Sequence, residues 1–150
     1  MEFIYEAPMG KLLITYDDEF IFGLHFDREQ NQEYKLNSII KSCINQLDQY
    51  FAGSLKEFDL PLKPMGTDFQ KATWAALQGI PYGETVSYGQ IAMAIGKPKA
   101  PRAVGGANNK NPISIIIPCH RVIGASGAMV GYGGGMERKI WLLEHEVKFK

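Results

Sequence analysis

The chain has 150 residues, 45% hydrophobic and 21% charged, with a formal net charge of zero. That is enough for one ordinary domain or two small ones sharing a core, and it excludes a disordered polyelectrolyte. Two cysteines, Cys43 and Cys119, are too few for a disulfide scaffold and suit a reducing, cytoplasmic compartment.

Other classes fall away by motif. The apolar stretches are too short to span a bilayer, so no membrane contact is expected. The opening MEFIYEAPMG lacks a basic segment followed by an apolar core, so no signal peptide is expected. No CxxC or HExxH occurs, and the three histidines (25, 120 and 145) are dispersed, so neither metal nor cofactor is expected. The zero net charge hides an asymmetry. Residues 1–63 carry 6 Lys and Arg against 11 Asp and Glu, whereas residues 64–150 carry 10 against 5. The second half is thus the one suited to a polyanion.

In chain order, FIYEAP, KLLITY and FIFGLHF read as strands, the last two as a hairpin across Asp17, Asp18 and Glu19. Ile40, Ile44, Leu47 and Phe51, widened by Ile39, Cys43 and Tyr50, recur at helical spacing and predict a helix ending near Gly53. Cys43 lies in that stripe and reads as a buried core thiol. FDLPLKPMGTDF, with two prolines and a glycine, reads as a linker, and the boundary is placed between residues 63 and 64.

TDFQ (67–70) is a capping box opening a helix through Trp74 and Leu77. SYGQ (87–90) is a second one, opening a helix with Tyr88, Ile91, Ala92 and Ile95 on one face, which Gly96 and Pro98 end. Pro101 then suits a first helical position for PRAVGGANN. Two helices joined by a short glycine-containing turn make a helix-turn-helix candidate. Gly105 and Gly106 each cost the third helix about 1 kcal/mol relative to alanine. They suit either tight packing on another helix or close approach to a large flat partner, and Arg102 at the helix start favours the partner.

PISIIIPCHRVIG (112–124) reads as a strand run ending in a proline, with Cys119 and His120 at its lip. A free thiol is only a few per cent ionised at neutral pH, so a nucleophilic cysteine needs a base. Adjacent side chains on an extended segment point to opposite faces, which leaves room for a bridging water between Cys119 and His120. A predicted C-terminal helix carries an apolar stripe of Met136, Ile140, Leu143 and Val147, with Glu146 at its edge able to orient His120. His145 is the rival base, but as a helical neighbour of Glu146 it points elsewhere.

These segments resemble one family. IPCHRV, FQKATWAALQGIPYGETVSYGQIA, RAVGGANNKNPISIIIPCHRVIG and GYGGGMERKIWLLEHE are similar to the O6-alkylguanine-DNA alkyltransferases, densely from Thr67 to Glu146 and more loosely in APMGKLLITYDDEFIFGLHF. The resemblance implies a ribonuclease-H-like α/β N-terminal domain, a small antiparallel sheet plus a helix, followed by a mainly α C-terminal domain with the helix-turn-helix. It implies direct-reversal repair by a monomer without cofactor. The protein would bind the minor groove of double-stranded DNA, flip O6-alkylguanine (and O4-alkylthymine) out, and move the alkyl group irreversibly to Cys119.

Residue by residue, His120 and Glu146 resemble a water-linked relay that makes the thiolate. Asn111 resembles a hinge joining the cysteine loop to the helix-turn-helix, and Tyr88 a proton donor to the leaving guanine. Arg102 resembles an arginine finger on a DNA face with Ala103, Gly105 and Gly106. The carbonyls of Cys119 and Val122 correspond to readers of the exocyclic amine. Three pocket positions depart from some members. Ser114 replaces a proline, Val130 a glycine, and Gly133 a serine, which leaves only a backbone N–H to reach O6. Two other readings compete: a non-catalytic DNA binder, which leaves Cys119 unexplained, and a cysteine hydrolase, which would turn over repeatedly.

Overall fold

The computed structural model describes residues 1–127 and 131–150. Three antiparallel strands come first, in the order β1 (Glu2–Ala7), β2 (Gly10–Tyr16) and β3 (Ile21–Phe26). The central strand buries Leu12, Leu13, Ile14 and Tyr16, so both of its faces are covered. Helix α1 (Ser38–Phe51) is capped by Asn37, whose side chain accepts from the Ile40 N–H. Its fully buried positions are Ile40, Cys43, Leu47 and Tyr50. The stripe is therefore rotated from the expected one, with Ile44 and Phe51 only half-buried. Cys43 is a core thiol, and burial pushes it up to about 12, out of reach of any role at neutral pH.

The second half is helical, with α2 (Asp68–Leu77), α3 (Tyr88–Ala94), α4 (Pro101–Asn109) and α5 (Met136–Lys148). Both capping boxes form with both reciprocal bonds, Thr67 with Gln70 and Ser87 with Gln90. Pro101 occupies the first turn of α4. The Trp74 indole N–H donates to Ala107 O at 2.8 Å, which fixes α2 under α4. Two short strands also form, β4 (Val86–Ser87) and β5 (Val122–Ile123), paired in parallel. They tie the entry of α3 to the residues just after Cys119. One buried cluster joins the halves, running from Leu12 and Tyr50 to Trp74, Ile117 and Leu142.

Two expectations fail. Residues 112–118 are not a strand: they form a turn with a single bridge, Leu24 to Ile113. Prolines at both ends lack the N–H a ladder needs. In between, the chain bonds to itself, with the Ile117 N–H on Ile113 O and the Ile116 N–H on Ser114 O. The stripe on α5 was also misplaced. Ile140 and Val147 are exposed, and the buried face carries Lys139, Leu142, Leu143, His145 and Glu146. Apolar periodicity misleads there because three of those five buried residues are polar.

Candidate active site

The site begins with a strained loop. Ile115 takes φ +71°, a region that costs a β-branched residue on the order of 1–3 kcal/mol. Asn111 holds the loop by accepting from the Ile113 N–H at 3.0 Å and donating to Ile117 O at 2.7 Å. Pro118 then leads into a short 3-10 turn, Cys119–Arg121. Asn108, at the end of α4, donates to Cys119 O at 3.3 Å. The Asn111 side chain thus bonds within the cysteine loop, and the side-chain bond from α4 to that loop belongs to Asn108, which the sequence did not flag.

Behind the turn lies a buried polar network. Glu146 has no exposed surface and accepts five hydrogen bonds. His120 Nε2 reaches it at 2.7 Å, Arg121 at 2.8 and 3.0 Å, the Tyr50 hydroxyl at 2.7 Å and the Gly83 N–H at 3.1 Å. Arg121 also donates to Ile80 O at 2.8 Å. Burial opposes a charge on Glu146, but the hydrogen bond from His120 and the hydrogen bonds and charge of Arg121 outweigh it and hold the carboxyl far below the usual range. An ionised carboxylate only accepts, so His120 carries its proton on Nε2 and a lone pair on Nδ1. Burial lowers the imidazole's pKa despite Glu146, so it is neutral at pH 7. Its Nδ1 is buried without a hydrogen-bond partner among the described residues.

Cys119 is itself 3% exposed, and burial pushes its thiol up to about 11, against lowering by Asn111 and Lys139. The resting sulfur is a neutral thiol, and the imidazole of the next residue is neutral. Lys139, fully buried, donates to Val122 O at 2.6 Å. Both carbonyls expected to meet a base are therefore already engaged: Cys119 O accepts from Asn108 and from the Val122 N–H, and Val122 O from Lys139. His145 does not join the network: its ring bonds Tyr50 O and stacks on Trp141.

Cys119 opens on a cleft of about 370 Å³ lined also by Ser114, Gly133 and Gly134 from the second half. Three further lining residues, His25, Phe26 and Arg28, come from the first half, where no site residue was expected. Val130 lies outside the described residues. Tyr88 is half-buried, and burial, with the sulfur of Cys119 nearby, raises its hydroxyl, which keeps its proton across neutral pH. Arg102, Ala103 and Gly106 are exposed on α4, and Arg102 and Gly105 share a shallow groove with Tyr88. Internal packing does not require these glycines. A Cβ on Gly105 would make ordinary contact with Tyr88 at 3.8 Å, and one on Gly106 would meet nothing within 4 Å.

Among the described residues no group of three His, Cys, Asp or Glu could hold a metal ion. No helix of the described residues is long and apolar enough to cross a membrane.

Comparison with known proteins covers most of the chain. Residues 2–64 match the model of the 6-O-methylguanine DNA methyltransferase ribonuclease-like domain, and residues 68–148 that of its DNA binding domain. A methylated-DNA--protein-cysteine methyltransferase from Methanosarcina acetivorans is 48% identical over 149 residues, covering 95% of this chain and 96% of that protein. Its namesake from Mycobacterium leprae is 47% identical over 146 residues, covering 94% and 88%. The crystal structure of Mycobacterium tuberculosis OGT in complex with DNA superposes with a TM-score of 0.89 at 48% identity, over 97% of this chain and 92% of that one.

Proposed function

This chain belongs to the 6-O-methylguanine DNA methyltransferase family, and from that premise we propose that Cys119 is the residue that takes the methyl group. The activity is direct-reversal repair: the methyl group of O6-methylguanine in DNA passes to a cysteine of the protein. The observation that supports the assignment of Cys119 is the buried pair at the neighbouring residue, in which ionised Glu146 fixes His120 through Nε2 and leaves its buried Nδ1 lone pair without a partner among the described residues.

The Sγ proton passes through a water to His120 Nδ1. The thiolate, a soft nucleophile, bonds to the alkyl carbon as the carbon–O6 bond breaks, and that electron pair leaves on the guanine. Tyr88 protonates the departing ring, and the proton held by His120 returns through water to the Tyr88 oxygen, leaving both side chains neutral. No further group reverses the new thioether, so each chain acts once. Glu146 raises the basicity of the imidazole and remains ionised throughout.

Delivery of the base depends on α4. Arg102, at its start, fills the gap in the duplex when the alkylated guanine turns out of the stack. Unstacking costs a few kcal/mol, which the inserted guanidinium partly offsets. Ala103, Gly105 and Gly106 let the helix approach a minor groove roughly 6 Å wide. In the cleft the Gly133 N–H reaches O6, the Cys119 and Val122 carbonyls accept from the exocyclic amine, and Ser114 bounds the alkyl group. Asn111 holds the loop that presents the sulfur. The protein works as a monomer in two parts, residues 1–63 and 64–150.

A gel of the protein after incubation with duplex carrying radiolabelled O6-methylguanine tests this. Wild type retains label up to one methyl per chain, and Cys119→Ser retains none while still binding the duplex. Label released as a small product indicates a hydrolase, and no release or retention indicates a binder.

A further inference from the structure

Arg138 joins three segments that are far apart in sequence. Its guanidinium makes a bidentate pair with Asp27 at 2.5 and 2.8 Å, at the end of β3. It donates to Met9 O at 3.2 Å, in the turn between β1 and β2, and to Gly134 O at 3.3 Å, in the glycine-rich loop. The same group lies over the Phe26 ring, 4.4 Å from its centroid. The fit is close: a Cβ on Gly10 would stand 2.6 Å from Arg138 Nη2.

Two of these partners are walls of the Cys119 cleft. Phe26 and Gly134 both line it, one from each half of the chain. They touch, for a Cβ on Gly134 would come within 2.7 Å of the Phe26 ring. Arg138 holds both, so it sets how far the N-terminal wall stands from the glycine-rich wall. Stability is not the main role of the pair, since the Asp27 side chain is 71% exposed and such pairs add little. What a bidentate fork supplies is a fixed plane and distance.

We propose that the Arg138–Asp27 pair is a specificity clasp, which holds the Phe26–Gly134 wall at the width that favours a methyl group over larger alkyl groups. Both are positioning residues, acting on the cleft through Phe26 and Gly134. The inference rests on the reading of Cys119 as the acceptor, and adds to it a use for the N-terminal half in selecting the substrate.

The test is a ratio. Single-turnover rates are measured on the full chain with duplexes carrying O6-methylguanine or O6-benzylguanine, for wild type, Asp27→Asn, Arg138→Lys and the swapped pair Asp27→Arg with Arg138→Asp. Both substrates draw on the same folded molecules, so the benzyl-to-methyl ratio is blind to a loss of folded protein. The ratio rises by about tenfold in the single variants, the scale on which pocket contacts discriminate small groups, and falls back in the swapped pair. An unchanged ratio in Asp27→Asn overturns the clasp while leaving the acceptor intact. Wild type that moves no methyl group to Cys119 overturns the acceptor reading and the clasp with it.

Discussion

Glu146 receives bonds from His120, Arg121, Tyr50 and the Gly83 N–H, all from within the fold. The outer face of α4 presents Arg102, Ala103 and Gly106 to solvent, and Gly106 has no neighbour that its missing side chain would touch. The first region is explained by what it contacts, the second by what it lacks. A helix that bears two central glycines at a cost of about 1 kcal/mol each, with no internal reason for them, is shaped for something outside the chain. The relay and the outer face of α4 should therefore fail in different ways when altered.

The largest effect is expected at the relay. Glu146→Gln leaves the Arg121 cation buried without its counter-charge, and removing one partner of a buried pair costs about 3–5 kcal/mol. Transfer should slow as well, since a positioned base contributes on the order of 10²–10⁴-fold. Denaturant unfolding and single-turnover kinetics should both move. A variant with normal stability would break the comparison, because the carboxylate would then not be holding the network.

Arg102→Ala should do the reverse. Its melt should stay at the wild-type value, because the residue is exposed. Repair of duplex should weaken by about 10-fold to 100-fold, a part of the few kcal/mol that extrusion costs, and transfer from the free modified base should hold. Equal losses on both substrates would show that Arg102 serves the fold or general charge.

Acid sharpens the contrast, because the relay holds two groups whose protonation is coupled to folding. His120 is held below its ordinary 6.5 and Glu146 below its ordinary 4.5. For each, the unfolded chain binds more protons, so stability is present above the ordinary value and is lost as pH falls towards the folded one. Melts should decline below pH 6.5 and more steeply below 4.5. Arg102→Ala should follow the same curve as wild type, and His120→Gln should lose the upper part of the decline. A His120→Gln curve that coincides with wild type would remove the histidine from the account.

The smallest effect is the most specific to the face. Gly106→Ala should raise stability by up to about 1 kcal/mol, as helix propensity dictates where nothing clashes, and should lower duplex affinity. A gain in stability with no loss of affinity would mean that α4 does not meet DNA at that position.

Local signals in the sequence were dependable. The Thr67–Gln70 and Ser87–Gln90 boxes, Pro101 and the positions of Cys119, His120 and Glu146 could be read because each rests on short spacings or on motif. Other features had no local signature. Tyr50 reaches Glu146 across 96 residues and Arg138 reaches Asp27 across 111, so neither leaves a trace in periodicity. Arg121 stood in view beside His120, but nothing in PCHR says that it turns inward to the carboxylate. The run of isoleucines misled for a different reason: β-branched residues suit a strand, yet two prolines and the Asn111 bonds close the segment into a turn.

The most direct test is peptide mapping by mass spectrometry after the protein has reacted with an excess of duplex carrying O6-methylguanine. The account predicts one added methyl group per chain, on the peptide that contains Cys119, with the Cys43 peptide unchanged because its buried thiol does not ionise. A methyl group found on Cys43 or elsewhere, or a demethylated duplex with no mass added to the protein, would contradict it.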